Sequence, residues 1–348
     1  MYDTISIFYK LDRDEYDYFF KYLNELSYNK VGKKLYKPRN DKNAYVTYAF
    51  MEYGFYEIKL RWRKDKNYRA IELFIKPKLL IETGNHYEVT NPEEMEKVRE
   101  VFNRYAQKHR LPDLLFWNVK RIDYAIDINL PKEMIIKYLF LFKKSNHPEY
   151  MRIDKTTQRF FDCEHNLYLN SKNITINYYD RYKALKNKQL VGELIFLNTN
   201  RVRNKFRLEI QYKNCKGKLY NFLNYEFGKS TILYFYNLVI GPGAYLPLEK
   251  AIENTFNENI SFKKGVKLRN FLKYIDNEGG IFEAKMRFIK ENNNRCKAIK
   301  DFSKMLNDIR KLGLNPICLP SSWGMDQMPN LIDKINDQFD QIKSNFLN

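Results

Sequence analysis

Cysteine is scarce: only Cys163, Cys215, Cys296 and Cys318 occur in 348 residues, far apart along the chain. No two have the spacing of a zinc site or of a disulfide framework, so reduced thiols in a cytoplasm are the expected state. From Met1 through Phe20 acidic and basic residues interrupt the aromatics, so the uninterrupted apolar core of an export signal is missing. The longest apolar stretches, around Ile135 to Phe142 and Ile232 to Ile240, are too short and too broken for a membrane helix, which sets a membrane partner aside. Internal repeats and long linkers are missing as well, and the length allows one large domain or two ordinary ones.

Positive charge, in contrast, is abundant. The 61 Lys and Arg against 42 Asp and Glu leave a formal net charge of +19. Clustered cations gain affinity by displacing counterions condensed on phosphates, so nucleic acid is the first candidate partner. The bland source of the same vocabulary, rich in Lys, Asn, Ile, Tyr and Phe, is an AT-rich coding sequence. With 44% hydrophobic residues and 16% aromatics, the chain can also build a substantial core.

Up to about residue 215, strand-like runs alternate with helical spacing, the pattern of an α+β domain. Tyr16, Phe19, Phe20, Leu23 and Leu26 predict an amphipathic helix over Asp12 to Leu26, and Met95, Val98, Val101, Phe102 and Tyr105 predict one over Glu94 to His109. Strands are expected at Ala44 to Phe50, Phe55 to Trp62, Tyr68 to Ile75, Arg121 to Ile128, Ile174 to Arg181 and Lys205 to Tyr212, in a central, largely antiparallel sheet with flanking helices. After Lys218 the periods lengthen, with helices over Ser230 to Val239, Leu246 to Asn257, Lys264 to Ile275 and Ile281 to Leu312. Pro316, Pro320 and Pro329 mark an irregular tail. The expected division is an α+β domain over 1–215 that carries the chemistry and a mostly helical region over 216–348.

Strand parity shows where that chemistry would sit. In Arg121-Ile122-Asp123-Tyr124-Ala125-Ile126-Asp127-Ile128 the apolar residues share one face, and Arg121, Asp123, Ala125 and Asp127 share the other. Two carboxylates flanking a small alanine leave a space that suits a divalent cation. Arg207, Glu209 and Gln211 lie together opposite Phe206, Leu208, Ile210 and Tyr212, and Glu72 stands between Ile71 and Leu73. An alternating strand with a solvated outer face gives the same pattern. In Ile174 to Arg181 the apolar face takes Ile174, Ile176 and Tyr178, which leaves Tyr179 with Thr175, Asn177 and Arg181 on the polar one. Among 28 tyrosines, parity makes Tyr179 the available member of its adjacent pair.

In this order the strands resemble the Rep_trans class of plasmid rolling-circle initiators. The family's R-[LI]-D-x-A-x-D strand corresponds to Arg121 through Asp127, its I-x-I-Y-[ND]-K strand to Ile176-Asn177-Tyr178-Tyr179-Asp180-Arg181, and its R-x-E-[IV] strand to Arg207-Leu208-Glu209-Ile210. Ile71-Glu72-Leu73-Phe74, followed by Pro77, Lys78 and Leu79, is similar to the family's I-E-F strand and P-x-K-L turn. The likeness covers roughly residues 68 to 213. It implies Tyr179 as the nicking nucleophile with Arg181 as the cation beside it, where the family commonly has Lys. Glu72, Asp123 and Glu209 fall at its acidic, metal-associated positions. Ala184 stands where the family commonly has a further Glu. The implied fold is a nuclease core like that of the His-hydrophobic-His enzymes but without the His pair, which His86, His109, His147 and His165 do not form.

The resemblance implies a replication initiator that nicks one strand at the origin of a plasmid or similar replicon, leaving a 5′-phosphotyrosyl enzyme and a 3′-OH that primes a host polymerase. A phenol with an ordinary pKa of about 10 needs activation. Mg²⁺ or Mn²⁺ held by Asp123, Glu209 and either Glu72 or Asp127 is the expected activator, since oxygen ligands suit hard cations. Candidate DNA contacts are Arg121, Lys183, Arg201, Arg203, Lys205 and Arg207, with Lys30, Lys33, Lys34, Lys37 and Arg39 a second basic cluster; each is equally a solvated basic loop. Tyr53, Tyr56 and Trp62, alternating with Lys59, Arg61 and Arg63, offer a stacking surface for a single strand, or core packing. A host helicase and a second copy of the chain are further expected partners. The alternatives are a non-catalytic DNA-binding regulator and a mobilisation relaxase with the same chemistry.

Overall fold

The computed structural model describes residues 1–153, 165–191, 196–256 and 260–347. Cys163 lies outside the described residues; Cys215, Cys296 and Cys318 are free thiols. The fold is α+β. Its strands are β1 (Tyr2–Lys10), β2 (Ala44–Thr47), β3 (Phe55–Arg63), β4 (Tyr68–Ile75), β5 (Asn118–Asn129), β6 (Arg152–Ile153), β7 (Asn166–Asn170), β8 (Ile174–Asp180) and β9 (Lys205–Lys213). They form one nine-stranded sheet in the order β2-β3-β4-β1-β5-β9-β8-β7-β6. Every pairing is antiparallel.

All six expected strands are present, and β1, β6 and β7 are additional. Of these β1 matters most, because it runs through the middle of the sheet between β4 and β5. Ile5 pairs with Ile75 on one side and Ile122 on the other.

The two faces differ. Ile58, Leu60, Ile71, Leu73, Ile122, Tyr124, Ile126, Tyr178, Leu208 and Ile210 are buried in a continuous core. Helices α1 (Arg13–Val31), α3 (Met95–Lys108), α4 (Lys132–Lys143), α6 (Tyr225–Val239) and α11 (Ile332–Leu347) supply its other half. The start of α1 is fixed by a capping box: the Asp12 carboxylate accepts from the Glu15 amide, and the Glu15 carboxylate from the Asp12 amide, each at 2.8 Å. The opposite, polar face of the sheet is partly covered by α5 (Arg181–Leu190) and the segment 82–90, which follows the short α2 (Pro77–Ile81).

Residues beyond 215 do not sit apart from the sheet. Gly228 of α6 approaches it so closely that a Cβ there would lie 2.9 Å from Met1 Cε and 3.0 Å from Tyr124 Cδ1. Tyr138 of α4 donates to the Pro329 carbonyl at 2.9 Å, and Tyr225 of α6 to the Phe339 carbonyl at 2.7 Å. The buried core therefore runs across the expected boundary near 216. Beyond α7 (Leu248–Glu253) and α8 (Phe262–Asn277), the helix expected over Ile281 to Leu312 is two, α9 (Ile281–Glu291) and α10 (Arg295–Arg310). Asn294 starts the second one, its side chain accepting from the Lys297 amide at 3.0 Å. The tail after Pro316 is not irregular throughout but ends in α11. Among the described residues no helix is long and apolar enough to cross a membrane.

Candidate active site

Strand register decides which of the expected residues meet. On the polar face of the sheet, Tyr179 of β8 pairs with Arg207 of β9, which pairs with Asp127 of β5. The next row holds Asn177, Glu209 and Ala125; the one beyond holds Thr175, Gln211 and Asp123. A cavity of about 250 Å³ opens over these rows, and Tyr179, Arg181, Glu209, Asp123 and Arg121 all line it. Its walls come from Lys76 after β4, Tyr56 on β3 and Ala184 and Lys188 on α5.

Tyr179 is 5% exposed but belongs to this polar cavity, whereas Tyr178 is sealed in the core against Phe142 and Tyr236. The Tyr179 hydroxyl donates to Glu209 Oε2 at 3.0 Å and accepts from Arg181 Nη1 at 3.4 Å. Burial, with the Glu209 carboxylate beside it, pushes the phenol above its ordinary pKa. The second Glu209 oxygen accepts from Gln211 Nε2 at 2.8 Å. Asp123 receives Nε and Nη2 of Arg121 at 2.7 and 2.6 Å. Burial nevertheless holds the Asp123 carboxyl up at about 7, against the pull of Arg121 and with Glu209 adding to the rise.

Of the acids expected around a metal, Asp123 and Glu209 line the cavity, and neither candidate for a third ligand, Glu72 or Asp127, does. Glu72 does lie on the polar face, but it pairs with Phe8, whereas Asp123 pairs with Thr4. At ordinary strand spacings, two strands and four residues amount to roughly 16 Å. Glu72 instead binds Arg61 Nε at 2.8 Å and Lys120 Nζ at 2.9 Å. Asp127 stands in the right row but is taken up by Arg207, at 2.6 and 2.7 Å, and burial is outweighed by that cation in keeping its carboxyl below the usual range. Among the described residues no group of three or more His, Cys, Asp or Glu side chains is arranged to hold a metal ion. The expected cage of Asp123, Glu209 and either Glu72 or Asp127 does not fit the fold; Asp123 and Glu209 are the pair that share the cavity with Tyr179.

The candidate DNA contacts also separate. Arg207 is fully buried, with Nη1 on Asp3 at 2.6 Å and Nη2 on the Tyr87 carbonyl at 3.2 Å, so it ties the floor of the site and cannot reach a DNA backbone. Arg121 is committed to Asp123 at the cavity edge. Arg201 and Arg203 are exposed on the turn before β9, Arg201 lying over the Tyr87 ring at 4.6 Å, and Lys183 and Lys205 are half-buried. On the hairpin, Tyr45 and Trp62 stack at 4.9 Å with Lys37 5.0 Å from the Trp62 ring, and Lys30 lies 3.7 Å from the Tyr53 ring. Tyr56 turns to the cavity.

Asp3 and Lys76 are site residues that the sequence reading missed. Nothing in the local pattern marks Asp3, which the central strand β1 delivers. Lys76 was within reach: residues 72, 74 and 76 share strand parity, so the lysine continues the face that carries Glu72. Compared with protein-family models, with curated proteins and with solved structures, the chain matches none.

Proposed function

We propose that this protein is a DNA-nicking replication initiator of the rolling-circle kind, with Tyr179 as its nucleophile. The observation that carries the reading is the Tyr179 hydroxyl bridging a carboxylate and a guanidinium, Glu209 at 3.0 Å and Arg181 at 3.4 Å, inside an accessible cavity. A buried phenol has little phenolate at rest, so a base must take its proton as it attacks. Glu209 Oε2 is the acceptor already in place. The phenol oxygen then forms a bond to phosphorus of a single-stranded phosphodiester, the P–O3′ bond breaks, and the released 3′ oxygen takes a proton from water. The products are a 5′-phosphotyrosyl link and a 3′-OH. The Arg181 cation offsets negative charge that builds on the phosphoryl oxygens during attack. Because the new link keeps a phosphodiester, a later attack by a 3′-OH reverses the step and reseals the strand.

Asp123 and Glu209 are the carboxylates to which Mg²⁺ or Mn²⁺ is assigned in this proposal. Two acids, one of them holding Arg121, fall short of a full ligand set, and no step above is routed through a metal. The test is incubation of supercoiled replicon DNA with wild-type protein and Tyr179→Phe, with Mn²⁺ present, followed by mass spectrometry of the peptide that contains residue 179. A nucleotide adduct on wild type and none on the variant is the expected result. Undiminished nicking by Tyr179→Phe removes the nucleophile assignment, and DNA binding without any cutting favours a non-catalytic regulator.

A further inference from the structure

Beside Tyr179 two cations are buried with no acid among the described residues to hold them. Lys76, 7% exposed, donates from Nζ to the backbone carbonyl of His86 at 3.3 Å. Arg181, 5% exposed, reaches the same oxygen through Nη2 at 2.6 Å, and its Nε is buried with no hydrogen-bond partner among the described residues. Neither forms an ion pair among the described residues. Asp3, the acid whose charge bears most on Lys76, is taken by Arg207 at 2.6 Å, and Asp123 is taken by Arg121 at 2.6 Å.

Two like charges converging on one carbonyl, away from water, oppose folding unless something else compensates them. A carbonyl supplies only a partial charge. The ammonium has three donors and spends one on it, and the guanidinium retains Nε. Both spare donor sets belong to residues that line the cavity holding the Tyr179 hydroxyl.

We infer that Lys76 and Arg181, grouped around the His86 carbonyl, form a binding site for the non-bridging oxygens of a phosphodiester and set its phosphorus beside Tyr179. That the anion is a DNA diester rests on the proposed nicking function. The anion site itself needs no nucleophile, so the two can fail separately. The competing role for the pair is to pin the segment 82–90 through the His86 carbonyl, which calls for hydrogen-bond donors but no anion.

The site carries a pH signature. Burial pushes the Lys76 ammonium down to about 7, with Asp3 on β1 opposing the fall and Arg181 and Lys188 on α5 and Arg207 on β9 adding to it. Its charge, and with it affinity for an anion, is lost as pH rises through neutrality. The His86 imidazole, pushed down to about 4 by burial, stays neutral throughout. The diagnostic is thus the difference between wild type and Lys76→Arg, in which only the lysine step is removed.

Sulfate, which keeps its charge over this range, is the probe, titrated calorimetrically into the full chain against chloride of equal ionic strength, at about pH 6 and about pH 8. Wild type and Tyr179→Phe should bind sulfate alike, and a short single-stranded oligonucleotide should displace it. Lys76→Met should bind roughly tenfold to a hundredfold more weakly, the scale of one charge-assisted hydrogen bond. Lys76→Arg should bind at both pH values with a smaller fall than wild type. Should Lys76→Met fail to fold, the wild-type and Lys76→Arg pH profiles decide.

Sulfate binding that Lys76→Met leaves intact, or identical pH profiles for wild type and Lys76→Arg, would overturn the inference. A saturable, lysine-dependent sulfate site in a protein that never forms a tyrosyl adduct keeps the inference and sinks the nicking function. An adduct that forms at the wild-type rate in Lys76→Met keeps Tyr179 and removes Lys76 from its site.

Discussion

Asp127 and Arg207 face each other across β5 and β9 and close a two-pronged ion pair at 2.6 and 2.7 Å beneath Tyr179. The remaining guanidinium nitrogen holds Asp3 of β1, so one fully buried arginine joins three neighbouring strands.

That junction sets a stability prediction. Removing the guanidinium while both acids stay leaves two buried carboxylates unpaired, so Arg207→Met should destabilise the fold by about 3–5 kcal/mol, read from the shift of the urea midpoint. Arg207→Lys should recover only part of the loss, because an ammonium lacks the planar fork that spans Asp127 while reaching Asp3. A midpoint unchanged in Arg207→Met would mean that the triad contributes nothing to the sheet.

Glu209 gives a prediction on rate. One of its oxygens takes the Tyr179 hydroxyl and the other the Gln211 amide. In Glu209→Gln an amide replaces the carboxylate, and the base on the Tyr179 hydroxyl is gone. The initial rate of nicking should fall about 10²- to 10⁴-fold, the usual worth of a positioned base, with a loss of only about 1 kcal/mol in stability from one hydrogen bond. A rate equal to wild type would show that the phenol loses its proton elsewhere.

Buried histidines make the fold sensitive to acid in a definable window. His147 is buried, its Nε2 has no partner among the described residues, and burial pushes its pKa down to about 4. The unfolded chain binds that proton near 6.5 and the folded chain only near 4, so stability is full above the first value and is lost as pH falls towards the second. The loss approaches about 3 kcal/mol for the full interval, at 1.36 kcal/mol per unit. Replacing it with leucine should flatten this part of the stability profile, measured by urea unfolding at several pH values. A slope unchanged by His147→Leu would place the acid sensitivity in other groups.

Alternation made most of the sheet legible: the six expected strands fall where apolar and polar residues take turns, and parity separated Tyr179 from Tyr178. What parity cannot supply is register. It puts Glu72 and Asp123 on one face but says nothing of the two strands and four residues between them. It cannot show that Asp127 meets Arg207 either, since the pair forms only when β5 and β9 align. Strand β1 escaped notice because the irregularity between Tyr2 and Thr4 interrupts its alternation, and because its partners β4 and β5 are distant in the chain. The end of the chain differs from the expectation for a similar reason: the prolines before α11 are visible in the sequence, whereas its packing on α6 through Tyr225 and Phe339, and on β5, joins segments far apart in the chain.

The same register argument yields a prediction about the acids. Glu72→Gln loses ion pairs with Arg61 and the half-exposed Lys120, outside the Tyr179 cavity, so its nicking rate should stay near wild type. Asp127→Asn weakens the tie to Arg207 and should lower stability well before it lowers the rate at a temperature where the protein stays folded. Asp123→Asn and Glu209→Gln should lower the rate itself, and Mn²⁺ binding followed by calorimetry should weaken in these two alone. If Asp123 and Glu209 hold a divalent cation, two protein carboxylates would leave much of its shell as water, and EDTA should strip it readily. Loss of both Mn²⁺ binding and nicking in Glu72→Gln would contradict the placement of that residue and restore the larger cage.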